Sequence, residues 1–186
     1  MLKMQQKKSL METIDMKTRN DFISNSSSSS FIFICENGQL VKPNINPHDI
    51  ENDEGQVVLP LKTHGQAEFG WQNERYYDFW SKLNWAALIA LSMKDIEESA
   101  RKNNSTVKSI YKFSAMENLI KMVCKKELDL NVRLMTEQDR EGTFVYIDHQ
   151  SDIGENIANA AMFDSYTSMC NWLFRESYIQ CGNDNE

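Results

Sequence analysis

Residues 74–98 read ERYYDFWSKLNWAALIALSMKDIEE, the clearest periodic stretch in the chain. Tyr76, Phe79, Trp80, Leu83, Ala87, Ala90 and Leu91 recur there at helical spacing, which predicts a helix from Glu74 to about Glu98. Trp85, Leu88 and Ile89 widen the apolar stripe, so the middle of this helix is expected to be buried on more than one side. A helix of that kind needs partners around it, and the flanking sequence must supply them.

Upstream, FIFICE at 31–36 is rich in aromatic and β-branched residues and runs into Asn37-Gly38. That pattern predicts a hairpin, with QLVK at 39–42 as the return strand. PNINPHDIENDEG at 43–55 holds two of the three prolines and reads as a loop. QVVLPL at 56–61 reads as a third strand, with Pro60 ending it or pushing it to an edge. KTHGQAEFGWQ at 62–72 is a loop leading into the helix. Downstream, Asn103-Asn104-Ser105 interrupts the helical pattern. Ser114 is then expected to cap a second helix over 115–127, with Glu117 at capping-box spacing. LNVRLM at 130–135 alternates like a strand, and TFVYID at 143–148, beyond a turn at 137–142, is its expected antiparallel partner. Residues 151–164 fit no single pattern. A final helix over about 165–176 carries Met169, Trp172 and Leu173, and SYIQC at 177–181 is a short last strand before a polar tail.

Strands thus come early and late, helices lie between them, and no regular β-α-β alternation appears. The expected fold is α+β: an antiparallel or mixed sheet packed against two or three helices. Residues 1–17 read as a polar N-terminal extension and 18–186 as a single α+β domain, with Met1, Met4, Met11 and Met16 all possible starts.

Composition narrows the class. With 186 residues, 41% hydrophobic and 25% charged, the chain is long enough and apolar enough to bury a core without disulfide or metal staples. No apolar run approaches the roughly 20 residues that span a bilayer, and no signal-peptide h-region opens the chain. A cytoplasmic protein that does not engage membranes is expected. Cys35, Cys124, Cys170 and Cys181 form no C-x-x-C pair and sit in or beside apolar stretches, which fits reduced thiols used as small hydrophobes. Net charge is −7, the wrong sign for a generic nucleic-acid binder, so nucleic acid is disfavoured as a partner. Lys121, Lys125 and Lys126 are spaced like the wet face of a helix.

The oddest feature is TRNDFISNSSSSS at 18–30, which ends in five consecutive serines. A linker, or an edge strand continuous with 31–36, is the first reading. The second is an anion-binding loop formed by Asn25, Ser26, Ser27, Ser28, Ser29 and Ser30, with Arg19 close in sequence and Ser151 as a further hydroxyl. No glycine or lysine completes a P-loop. The stretch MKTRNDFISNSSSSSFIF at 16–33 resembles the opening of a scattered group of uncharacterised proteins from tailed phages and bacterial genomes. EFGW at 68–71, YIDHQS at 146–151 and GNDNE at 182–186 fit the same type. The resemblance covers about a third of the chain and implies origin more than mechanism; it also implies a start at Met16 and, for a phage-encoded chain, the host cell cytoplasm as its location.

Candidate chemistry is sparse. Asp148-His149-Gln150-Ser151 follows the strongest late strand, where an Asp–His neighbourhood tunes an imidazole towards neutral pH, although a simple turn explains the segment as well. Ser151 has no nucleophile-elbow glycines beside it. His48 with Asp49, His64 with Glu68, and Asp184 lack metal-ligand spacing, so neither a metal nor a cofactor is expected. Glu68-Phe69-Gly70-Trp71 fits an aromatic lid or, more simply, the lead-in to the helix.

Three functions remain. A non-enzymatic phage-type accessory protein that binds and modulates a host or phage protein is preferred, given ten methionines, four tryptophans and no complete catalytic constellation. The alternative is a small enzyme or ligand-binding domain for a phosphorylated or anionic metabolite, with Asp148, His149 and Asp184 as acid/base groups. A virion or assembly component is the third, with no feature in its favour.

Overall fold

The computed structural model describes residues 16–17, 28–45, 50, 52–53, 55–70, 74–140, 146–147 and 160–183. Within them the fold is α+β, with antiparallel strands packed against helices. At its centre lies α1 (Phe79–Lys102). The Asp78 side chain caps it, accepting the Ser81 amide at 2.8 Å, and Arg101 and Lys102 sit at its C-terminal end, where the helix dipole favours cations. Every residue from Ser81 to Leu91 is buried, so the middle of the helix is enclosed on all sides. The helix starts later than its periodicity predicts. Arg75–Tyr76 form a strand instead (β6), and Tyr76 joins the core from the sheet. A two-residue strand next to an aspartate cap is indistinguishable by spacing from a helix's first turn.

α1 packs against α2 (Phe113–Leu128) and α4 (Tyr166–Phe174), and α4 lies on the sheet. α4 begins at Ser165, whose hydroxyl accepts the Ser168 amide at 3.0 Å, close to expectation. α2 begins earlier than expected, and Ser114 lies inside it. The Phe113 amide is satisfied by Glu97 of α1 at 3.1 Å, while Glu117 pairs with Lys121 at 2.8 Å. A carboxylate from the neighbouring helix thus replaces the local capping box, a partner that no local pattern reveals. Asp129, in the left-handed region at φ 53°, ends the helix.

The main sheet runs in the order β1 (Met16–Lys17), β2 (Ser28–Cys35), β9 (Tyr178–Asn183), β6. All its pairings are antiparallel, and β2 meets β9 from Ser28↔Asn183 to Phe33↔Tyr178. The expected hairpin to 39–42 does not form. Gly38 turns the chain at φ +93°, but the Val41 amide then donates to the carbonyl of Phe174 at 2.6 Å, and Lys42 pairs with Glu127 at 2.8 Å. Burial explains the choice. Pairing with β9 sets Ile32 against the fully buried Ile179, whereas Leu40 and Val41 stay exposed. The strand expected as a short last element is therefore an inner strand of the sheet.

A second sheet joins β3 (Asn52–Asp53) to β4 (Gln56–Leu59) antiparallel and β4 to β7 (Val132–Leu134) parallel. Pro60 ends β4 after a cis Leu59-Pro60 bond. A third pairs β5 (Glu68–Phe69) with β8 (Tyr146–Ile147) in parallel. The expected antiparallel pairing of 130–135 with 143–148 is thus replaced by two parallel pairings with earlier strands. Between β7 and β8 a short helix, α3 (Glu137–Arg140), occupies the expected turn, and Asp139 takes a bidentate ion pair from Arg133 at 2.6 and 3.1 Å.

Loop 61–66 is fastened to α1 through buried Asn84. Its amide oxygen accepts the Leu61 amide at 2.7 Å, and its nitrogen donates to the carbonyls of Leu61, His64 and Gln66. Gly65, at φ +67°, lies so close to α1 that a Cβ would stand 2.5 Å from the Ser81 nitrogen. The four cysteines are free and buried. No helix among the described residues is long and apolar enough to cross a membrane.

Candidate functional site

The β2–β9–β6 sheet presents two different faces, because alternate residues of a strand point opposite ways. Ser30, Ile32 and Ile34 of β2, Ile179 and Cys181 of β9, and Tyr76 of β6 turn inward to the core. Phe31 and Phe33, Tyr178 and Gln180, and Arg75 occupy the alternate positions.

On this outer face the Phe33 and Tyr178 rings stack, with centroids 4.5 Å apart and an interplanar angle of 18°. Phe31 meets Phe33 edge-on at 5.6 Å, and Tyr77, 51% exposed, leans on Tyr178 at 5.0 Å. The Arg75 guanidinium lies 5.4 Å from the Tyr178 ring centre, donates through Nε to Gln180, and hydrogen-bonds Tyr77. That bond, reinforced by the two tyrosines, raises the arginine pKa further, so the group is a permanent cation. The result is a preorganised aromatic platform with a fixed charge at its edge.

Sequence reading missed this platform, although a signal was present. FIFI is apolar at both parities, which a strand with one wet face does not need. Arg75 and Tyr77 were hidden by the assignment of 74–98 to one helix.

On the inner side, the end of the serine run meets other segments at a polar corner. Ser28, Ser29 and Ser30 belong to β2, and their backbone pairs with β9. The buried Ser30 hydroxyl donates to the Cys181 sulfur at 3.5 Å, and the Gly70 amide donates to the same sulfur. The Cys181 amide donates to the Glu74 carbonyl at 2.9 Å, and Tyr76 hydrogen-bonds the Glu74 side chain. Burial pushes the Cys181 thiol up, against those two hydrogen bonds, and pushes the Tyr76 phenol well above its ordinary value. Neither group supplies an anionic nucleophile or base near neutral pH.

The same holds elsewhere for the thiols that shift. Burial drives Cys124 up to about 12 and raises Cys170, which adjoins Tyr166 and the Glu127 carboxylate. Glu127 itself is held below the usual carboxylate range by Lys42 and by the Tyr166 hydroxyl, an arrangement that clamps segment 39–42 to α2 and α4. Lys82, buried in the first turns of α1, donates to the Arg175 carbonyl at 2.9 Å. Burial lowers its pKa to about 8, against the opposing field of Asp78.

Of the residues picked out from sequence, Arg19, Asn25, Ser26, Ser27, His48, Asp49, Asp148, His149, Ser151 and Asp184 lie outside the described residues. His64 meets Thr63 at 2.9 Å and the Trp80 ring at 5.5 Å, so it packs with its neighbours, and Glu68 is exposed on β5. Phe69 is no lid: it is fully buried, edge-on to Tyr76 and Trp85. Among the described residues no group of three His, Cys, Asp or Glu side chains is placed to hold a metal. No protein-family model, curated protein or solved structure matches the chain.

Proposed function

We propose that this chain is a non-enzymatic binding module of the phage-accessory kind, which docks on a host or phage protein through the outer face of its main sheet. One observation carries the reading: Phe33, Tyr178 and Tyr77 stack into a partly exposed platform edged by the guanidinium of Arg75. Tyrosine and arginine dominate the energetic centres of protein interfaces, because large rigid rings and planar forks lose little conformational entropy on binding. The test is affinity purification of the tagged protein from its native cellular background, beside the Tyr178→Ala variant. A stoichiometric protein that co-elutes with the wild type and is lost from the variant supports the reading. A partner retained equally by both removes the sheet face from it.

A second reading, a ligand-binding domain or small enzyme for an anionic metabolite, has its own observation. Ser30 and Gly70, from the serine run and the EFGW motif, meet at Cys181, and β8 pairs with β5 next to Gly70. Thermal stabilisation by inorganic phosphate that disappears in Ser30→Ala would favour it.

A further inference from the structure

The platform also carries information about what covers it. Arg75 is exposed, and among the described residues the partners that hold its guanidinium are neutral: the Gln180 amide oxygen, the Tyr77 hydroxyl and the Tyr178 ring. No carboxylate pairs with it among the described residues, in a chain with 27 acidic and 20 basic side chains. By comparison, Arg133, also fixed in place, has its fork filled by both oxygens of Asp139. Lys42, Lys94, Lys121 and Lys125 each reach a carboxylate of this chain, and what sets Arg75 apart from the other cations without one is that Gln180 and the tyrosine rings hold its guanidinium in place. Among the described residues Arg75 is thus a planar donor set in position but without the anion that matches its geometry.

Resting on the docking role proposed above, we infer that the covering partner is an acidic peptide segment, with a carboxylate for Arg75 and an aromatic or apolar side chain for the Tyr77–Tyr178–Phe33 rings. The carboxylate takes the guanidinium N–H groups that point away from Gln180. The neighbouring side chain extends the stack, where each aromatic contact adds to simple area burial. The overall charge of −7 does not prevent this, because at physiological salt charges beyond about 8 Å are largely screened and the local contact decides. A nucleic acid would use the same rings, but one arginine on an acidic chain gives it little phosphate attraction.

The experiment titrates the full chain with three soluble probes, a random glutamate–tyrosine copolymer, a lysine–tyrosine copolymer and single-stranded oligo-dT, following the Tyr77 and Tyr178 ring resonances by NMR. The glutamate–tyrosine polymer is expected to shift both rings and bind tightest, with Arg75→Gln weakening it by about tenfold or more. Equal or stronger binding of either other probe, or binding unchanged by Arg75→Gln, overturns the acidic-partner inference. Arg75→Gln also enters the co-purification. A partner lost by Tyr178→Ala but kept by Arg75→Gln leaves the docking face standing and removes only the acidic partner. A partner kept by both variants removes the docking face as well.

Discussion

The inner and outer faces of the β2–β9–β6 sheet come from the same strands, often from adjacent residues, and they do opposite work. Ile179 points inward and is fully buried, while Tyr178, one residue earlier, is half-buried and stacked on Phe33. Ser30 points inward and satisfies its hydroxyl on Cys181, whereas Arg75, on the outer face of the neighbouring region, keeps its charge in water. The inner face is apolar because α4 packs on it and its residues join one continuous core that must stay dry. The outer face is aromatic without a comparable stability requirement among the described elements. That difference is what makes it a candidate for binding.

The sharpest way to break the comparison is to truncate large side chains on both sides. Trp85, fully buried against Phe69, should cost about 3–5 kcal/mol as Trp85→Ala in a urea unfolding series. Trp80, which the sequence pattern places on the same core stripe, is only partly buried and leans on His64, so Trp80→Ala should cost about half as much or less. Next, Ile179→Ala should lose about 2–4 kcal/mol and Tyr178→Ala no more than about 1.5 kcal/mol, roughly the worth of a stacking pair. Equal losses at 178 and 179 would mean that the outer face is part of the core, and the docking proposal would fall with it.

The close packing of loop 61–66 on α1 can be tested at the backbone. Gly65→Ala combines a left-handed φ with a Cβ 2.5 Å from the Ser81 nitrogen and 2.7 Å from the Trp80 Cβ, and should cost about 2 kcal/mol or more. Gly38→Ala meets open space and carries only the conformational cost, about 1 kcal/mol. Similar melting temperatures for the two variants would contradict the seal between loop 61–66 and α1.

Two pH experiments give the smaller effects. Lys82 has its folded pKa lowered to about 8 from an ordinary 10.5, so between these values the unfolded chain holds a proton that the folded chain has released. Stability from this group therefore rises with pH across that window, by an amount on the order of 2 kcal/mol. Lys82→Met should abolish that rise, and an unchanged pH slope would contradict the burial of the ammonium. Asp139 shows the reverse sign. Arg133 and the Thr136 hydrogen bonds hold its carboxyl well below its ordinary range. Its contribution is complete above the unfolded carboxylate pKa and is lost as pH falls through the depressed folded value. Because the pair is partly exposed, Asp139→Asn should cost only about 1 kcal/mol at neutral pH and nothing in strong acid.

Legibility in the sequence followed the range of the interactions. The enclosed middle of α1, the span of α4, the strand at FIFIC and the stop at Pro60 were all readable, because each rests on neighbours within a few residues. Errors came where distant partners decide. Asn37-Gly38 makes its turn, but the return strand loses to β9 because Ile179 offers a buried face and QLVK does not. Ser114 had a capping-box spacing, yet Glu97 of another helix does the capping. Arg75 and Tyr77 were legible as residues but not as a site, since only pairing with β9 brings them beside Tyr178 and Phe33.

By itself, then, the sequence determined the fold class, the free and apolar setting of its cysteines and the long central helix. These follow from composition and from periodicities of two and 3.6 residues, which are properties of the local chain. The tertiary structure alone decided the strand order, the parallel pairings of β4 with β7 and β5 with β8, and the assembly of an aromatic and cationic platform from three separated segments. Those depend on which distant apolar surfaces bury each other best, a competition among the whole chain's segments that no local window contains.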